Sequence, residues 1–324
     1  MRDKENRAIV SVILAALALL TACRSGSVPS VGQVETGTPQ ESPATRPMRR
    51  VTDDLERTVL LPTKITRVIS TAPSVTEMIF AAGGGDRLVG VTTFCNYPEE
   101  AKSIAKIGDT MTPNIETIIA LKPDVVFVST ASQIEAFMTT LEANGIAVYV
   151  LNPTYLEDVF ENLRELGIIF DTIEPTQKLA WSLEERVLNA DEPQDYDETD
   201  AQYKGRVKPV TVFVQISKEP LFTVGKSSFL RELIRRAGGK LVTDNIETAF
   251  PKLSKETALA LQPEVIFLSA SDDNREPNEV FKNSPAVKNG RVYSIDADLL
   301  SRPGPRLVDA LEQIAKYLHP EKFK

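Results

Sequence analysis

The sequence predicts an α/β protein of two Rossmann-like lobes with mostly parallel sheets, joined by a single long helix. Strand-like and helix-like patterns alternate from residue 65 onward, the alternation starts afresh beyond residue 206, and a fourteen-residue segment recurs in the two halves. A βαβαβ order favours a parallel sheet with helices on both faces, because a crossover helix returns the chain beside the strand it left.

In the first half, Arg67-Val68-Ile69-Ser70 reads as a strand. Ser74-Val75-Thr76-Glu77 has capping-box spacing and is expected to open a helix that ends at Gly83-Gly84-Gly85. Leu88 to Val91 is a short strand, Ile115 to Leu121 a short helix stopped by Pro123, and Val125 to Val128 a buried strand. Ser132 to Ala143 reads as a helix closed by Asn144-Gly145, and Ala147 to Val150 as the next strand. Thr154-Tyr155-Leu156-Glu157 repeats the capping-box spacing before a helix that reaches about Phe170.

Pro175 to Leu188 is the connecting helix, with Leu179, Leu183, Val187 and Leu188 at helical spacing; Trp181, beside that stripe, reads as core packing. Asp191 to Asp200 is acidic, contains Pro193 and reads as a solvated loop. The second half then supplies a strand at Val210 to Gln215, a helix at Ser228 to Ala237 closed by Gly238-Gly239, strands at Val265 to Leu268 and Val292 to Ile295, and a closing helix at Arg306 to Tyr317.

The recurrence is close. Glu116 to Ser129 and Glu256 to Ser269 agree at eight of fourteen positions at a constant offset of 140. Two related lobes with one connector create a cleft, a common seat for a small ligand. Asn114 and Ser254 hold matching positions and are good N-caps, so Glu116 and Glu256 fall in the first turn of equivalent helices. Each complements a helix dipole. The pair could also serve as a two-pronged docking surface for arginines on a two-fold symmetric partner.

Composition narrows the chemistry. The 324 residues are 42% hydrophobic and 25% charged, with a net charge of −8 and scattered basic residues, so nucleic acid is not an expected partner. Two cysteines, Cys23 and Cys95, and one histidine, His319, are too few for a zinc site. A His-dependent nucleophilic site would have to use His319 in the terminal tail. Neither an enzyme nor a resident cofactor is expected. Gly225-Lys226-Ser227 fails as a phosphate loop because Pro220 stands where a glycine is required.

Arg2, Lys4 and Arg7 precede an apolar run from Ala8 to Leu20, which is followed by Leu20-Thr21-Ala22-Cys23. The run is too short to span a bilayer as a helix and reads as an export signal. Its end resembles a bacterial lipoprotein signal, which implies cleavage before Cys23, lipidation of its thiol and a membrane anchor. The expected organisation is a signal at 1–22, lipidated cysteine and flexible tether at 23–50, a first lobe at 51–172, connecting helix and acidic loop at 173–206, and a second lobe at 207–324.

Val51 to Val59 and Arg67-Val-Ile-Ser-Thr-Ala-Pro-Ser-Val-Thr-Glu77 resemble the iron-siderophore and cobalamin class of periplasmic binding proteins. Phe94-Cys95-Asn96-Tyr97-Pro98 and the stretch from Asp298 through Arg302-Pro-Gly-Pro-Arg306 resemble its cobalamin-binding branch. The resemblance covers roughly residues 51 to 319 and implies a class III binding protein with small closure. It also implies a monomer that delivers a corrinoid to the permease dimer and ATPase of an ABC importer. Glu116 and Glu256 match the family's docking residues, and Phe94, Phe250, Asp298 and Arg302 match its ligand-contacting residues. Aromatics suit the apolar faces of a corrinoid, and a carboxylate and a guanidinium suit its amide rim. Thr110 beside Met111, and Ile216, stand where close relatives carry aromatics, which leaves a different corrinoid or a different metal chelate open, with a ferric siderophore or haem as the alternative ligand. Cys95 is expected to be a small buried or half-buried thiol.

Overall fold

The structure is a computed structural model that describes residues 46–130, 134–191 and 208–323. The signal segment, Cys23, most of the tether, Ser132 and the acidic stretch from residue 192 lie outside the described residues.

The described chain opens with an antiparallel hairpin, β1 (Met48–Thr52) and β2 (Thr58–Pro62). Residues 48–50, expected at the end of the tether, are therefore ordered as a strand. Besides its pairing with β2, β1 is held by Arg49, whose guanidinium donates to the carbonyls of Ile168 (3.0 Å) and Ile169.

The first lobe contains β3 (Val68–Ser70), α1 (Pro73–Ala81), β4 (Leu88–Gly90), α2 (Ile115–Ala120), β5 (Val125–Ser129), α3 (Ile134–Ala143), β6 (Ala147–Leu151) and α4 (Leu156–Ile169). Its sheet is parallel, in the order β4-β3-β5-β6. The connector is α5 (Ile173–Ala190), about 27 Å long at the usual helical rise. The second lobe contains β7 (Val210–Ser217), β8 (Phe222–Thr223), α6 (Phe229–Arg236), β9 (Gly239–Leu241), α7 (Lys255–Ala260), β10 (Val265–Ala270), α8 (Pro285–Lys288), β11 (Val292–Asp296), α9 (Ala297–Ser301) and α10 (Leu307–Leu318). Its parallel strands run β9-β7-β10-β11, the same arrangement, with β8 added antiparallel beside the end of β7.

Successive strand residues face opposite sides, so each sheet feeds two cores. Val125 and Phe127 join an inner core, and Val126 and Val128 an outer one. In the second lobe Val265 and Phe267 join the same inner core, while Ile266 and Leu268 face a separate outer core with Phe213 and Phe281. The inner core runs through both lobes, drawing Val75 and Met78 from α1, Leu163 from α4, Leu183 and Val187 from α5, Leu233 from α6 and Leu311 from α10.

Three local expectations are corrected. α1 starts at Pro73 with Ala72 as its uncapped boundary, so Ser74 and Glu77 lie inside the helix and form no capping box. At α4 the N-cap is Tyr155 and the closing carboxylate is Asp158, which accepts from the backbone of Thr154 (2.7 Å) and Tyr155 (2.8 Å), while Glu157 turns to Arg236. Trp181 is 60% exposed rather than core. On α5 the buried stripe is Thr176, Ala180, Leu183, Val187 and Ala190, and Trp181, one residue past Ala180, falls outside it.

The recurring segment has a structural meaning in the folded lobes. Asp124 accepts from the backbone (2.7 Å) and hydroxyl (2.9 Å) of Thr66 and from the backbone of Arg67 (3.0 Å), which clasps the start of β3 to the start of β5. Its counterpart Glu264 accepts from the backbone and hydroxyl of Thr211, both at 2.9 Å, at the start of β7. Burial opposes ionisation of Asp124, but these donors and the nearby Arg46 outweigh it, so its carboxyl lies below the usual carboxylate range. Glu264 is also lowered, chiefly by the Thr211 backbone donor.

A carboxyl whose folded pKa is depressed contributes stability above its unfolded value and loses it as the pH falls through the folded value. Asp124→Asn is therefore expected to cost about 1–3 kcal/mol at neutral pH. The gap to the parent protein should narrow as the pH falls below about 4. Denaturant titrations at neutral and acid pH check this; a gap that does not change with pH would contradict it.

Candidate interlobe ligand site

The loop after β4 is pinned from beneath. Cys95 is buried, with its sulfur 3.1 Å from the hydroxyls of both Thr76 and Thr92. Its neighbours Phe94 and Asn96 are exposed, Phe94 to 59%. The sulfur thus serves as an anchor that turns the flanking side chains outward.

From the other lobe, Asp296 caps α9 by accepting from the Asp298 backbone (2.8 Å), and Asp298 pairs with Arg302 one turn later (2.7 Å). Arg302, whose side chain is only 10% exposed, crosses to the first lobe. It donates to Glu77 (2.9 Å), to the Asn96 side-chain oxygen (2.7 Å) and to the Phe94 carbonyl (3.4 Å). Asn96 in turn donates to Asp298 (3.1 Å). Arg306 grips the same Glu77 through Nε (2.8 Å) and Nη2 (2.6 Å), and its guanidinium lies 4.0 Å from the centre of the Tyr97 ring. The Glu77 hydrogen bonds raise the pKa of Arg306 above its ordinary value. Gly304 passes close to α1: a Cβ there would lie 3.7 Å from the Ser74 carbonyl oxygen.

Phe94, Asp298 and Arg302 are thus brought together through Phe94's backbone, and they are joined by Glu77, Asn96, Tyr97 and Arg306, which sequence reasoning did not select. The Glu77 signal was present but misread: a carboxylate within a helix whose residues 74–79 are all buried needs a cation. Arg302-Pro-Gly-Pro-Arg306 offers two.

A second seam joins the lobes at the start of α4. Glu232 of α6 accepts from the Leu156 backbone (3.0 Å). Arg236 pairs with Glu157, with Asp191 (3.2 Å) and with Glu232 (2.8 Å).

Phe250 is 44% exposed and is carried on a separate support. The backbones of Gly225 and Lys226 donate to the carbonyls of Ala249 (2.9 Å) and Ile246 (2.8 Å). A Cβ on Gly225 would lie 2.1 Å from the Thr248 carbonyl oxygen, so this glycine permits the close approach of the loop that bears Phe250. Met111 is exposed, whereas Ile216 is partly buried against the inner core.

Glu116 and Glu256 are exposed in the first turns of α2 and α7. Asn114 and Ser254 cap those helices by accepting from the backbones of Thr117 (2.8 Å) and Thr257 (3.1 Å). The Glu256 carboxyl is held below its usual range by its own backbone N–H and by the Ser254 hydroxyl. Among the described residues no group of three or more His, Cys, Asp or Glu side chains is arranged to hold a metal ion. No described helix is long and apolar enough to cross a membrane.

Gly225→Ala is expected to displace the Phe250 loop. Faster hydrogen exchange in residues 244–252, with the first lobe unchanged, is the result that checks it.

The sequence profile of the periplasmic binding protein family matches residues 68–299. The chain is 32% identical over 264 residues to the vitamin B12-binding protein of Vibrio parahaemolyticus, covering 80% of this chain and 92% of that protein. It is 30% identical to the uncharacterized ABC transporter substrate-binding lipoprotein YvrC of Bacillus subtilis, over 80% of this chain and 81% of that one. The crystal structure of the periplasmic vitamin B12-binding protein BtuF of Vibrio cholerae is similar with a TM-score of 0.67 and 29% identity, covering 81% of this chain and all of that one (100%).

Proposed function

The chain belongs to the periplasmic binding protein family, and from that membership we propose that it takes cobalamin or a related corrinoid between its lobes and delivers it to an ABC importer. It is an extracytoplasmic solute-binding protein and not an enzyme. In this reading Phe94 and Phe250 form aromatic walls for the faces of the ligand. Asp298 accepts from its amide rim, and Arg302 holds Asp298 and the Phe94 backbone in place. Glu116 and Glu256 dock on the permease dimer that works with its ATPase. A lipid on Cys23 anchors a monomer to the membrane.

The observation that carries the ligand reading is the charge balance of the interlobe cluster. Arg302 and Arg306 are matched by Glu77 and Asp298, so the guanidiniums there are already committed. A neutral, amide-rimmed ligand suits such a lip, because it asks for hydrogen bonds and apolar cover rather than an unpaired cation. An anionic ferric siderophore or haem would have to compete with Glu77 for those arginines.

Calorimetric titration is expected to give saturable binding of cyanocobalamin and weaker binding of haemin. Absence of saturation with several corrinoids would remove the ligand assignment. Reversing both docking charges, Glu116→Lys with Glu256→Lys, is expected to abolish uptake in cells while leaving ligand affinity intact. Undiminished uptake by the double variant would overturn the docking role.

A further inference from the structure

We propose that Glu77 is the specificity-determining residue of the interlobe site: it holds residues 94–97 of the first lobe in register with residues 298–306 of the second and neutralises the arginines that would otherwise attract anionic metal chelates. The proposal rests on the ligand reading above for its cobalamin arm, but its charge arm stands on the cluster itself.

Glu77 makes no claim as a ligand contact. Its side chain is 2% exposed, and both carboxylate oxygens are spent on the opposite lobe: Oε1 on Arg302 (2.9 Å) and Arg306 (2.6 Å), Oε2 on Arg306 (2.8 Å). What it fixes, however, includes three residues of the proposed site, Arg302, Asp298 and the Phe94 backbone. Arg302 carries the Glu77 constraint to the Phe94 carbonyl, to Asn96 and to Asp298. Arg306 carries it to the Tyr97 ring. One first-lobe carboxylate therefore sets the position of residues 94–97 relative to residues 298–306.

The same carboxylate sets the charge. With Glu77 ionised, two guanidiniums face two carboxylates. Without its charge, Arg302 keeps Asp298 but Arg306 loses its carboxylate partner, and the cluster gains one net positive charge at low local dielectric, where it counts most. Discrimination by withholding an attractive charge is a recognised way to reject a competing ligand. Glu77→Gln preserves the side-chain shape and removes the charge.

The test uses the full chain and two probes, cyanocobalamin and haemin, with hydrogen exchange measured without ligand. Glu77→Gln is expected to weaken cyanocobalamin binding by roughly ten- to a hundredfold and to strengthen haemin binding, more so at low salt. It should speed exchange in residues 92–98 and 297–306 while residues 147–170 stay protected. Adding Arg306→Gln should cancel the haemin gain, and Arg306→Gln alone should loosen residues 96–98 even if Glu77→Gln does not fold. Unchanged haemin affinity in Glu77→Gln, or a gain that survives Arg306→Gln, would overturn the charge role; unchanged exchange at residues 92–98 in both variants would overturn the positioning role. Failure of the parent protein to bind cyanocobalamin would instead sink the ligand reading, since the exchange and haemin results do not depend on it.

Discussion

The inner apolar core is the constraint on which the rest depends, because it does not stop at the lobe boundary. Side chains from α1, α4, α5, α6 and α10 pack into one continuous cluster, so the connector is part of the interior of both lobes. Swinging the lobes far apart would expose Leu183 and Val187 of α5 together with their partners on either side, at a cost of about 1.5–3 kcal/mol for each large side chain returned to water. Large opening is thereby disfavoured, and what remains adjustable is the fit at the interlobe surface. Two polar seams act there, Glu77 with Arg302 and Arg306, and Glu232 with Arg236 and the start of α4.

Buried charges are a poor way to gain stability, since desolvation consumes most of what their attraction returns. Their value lies in direction: a carboxylate between two guanidiniums tolerates one arrangement, whereas an apolar contact tolerates many. Glu77 and Arg302 are almost wholly withdrawn from water, Asp298 and Asn96 lie at the exposed edge of the cluster, and every distance in it is that of a direct ion pair or hydrogen bond. The apolar core thus restricts how far the lobes can move, and the seam selects where within that range they rest.

Much of this was readable from sequence because the signals are local. The strands at Val125 and Val265 are continuous apolar runs between turn residues, and Asn114 and Ser254 announce their helices by capping chemistry. The hairpin β1–β2 was not read: its residues alternate between exposed and half-buried or buried in too short a run, and it depends on the distant carbonyls that Arg49 reaches. Trp181 was misplaced because it lies one step from a buried stripe that sequence alone cannot orient. Glu77 was misread for a different reason. A Ser-x-x-Glu spacing has a local explanation, and its actual partners lie more than two hundred residues away.

The duplicated segment and the seam divide the work between them. What the repeat keeps alike in the two lobes is a sheet with the same strand order, a carboxylate clasp at the start of its two central strands and an exposed glutamate in a capped first turn. The shared architecture asks the same of both halves, and so would the two-fold symmetric importer proposed above. The seam is unlike on its two sides, with a carboxylate and an asparagine contributed by one lobe and an aspartate and two arginines by the other. A ligand held between the lobes has no two-fold symmetry to satisfy, so the surfaces that meet it are free to diverge. The departure from the repeat is therefore the better guide to what is bound, and in the proposed reading its retention is the better guide to the docking surface.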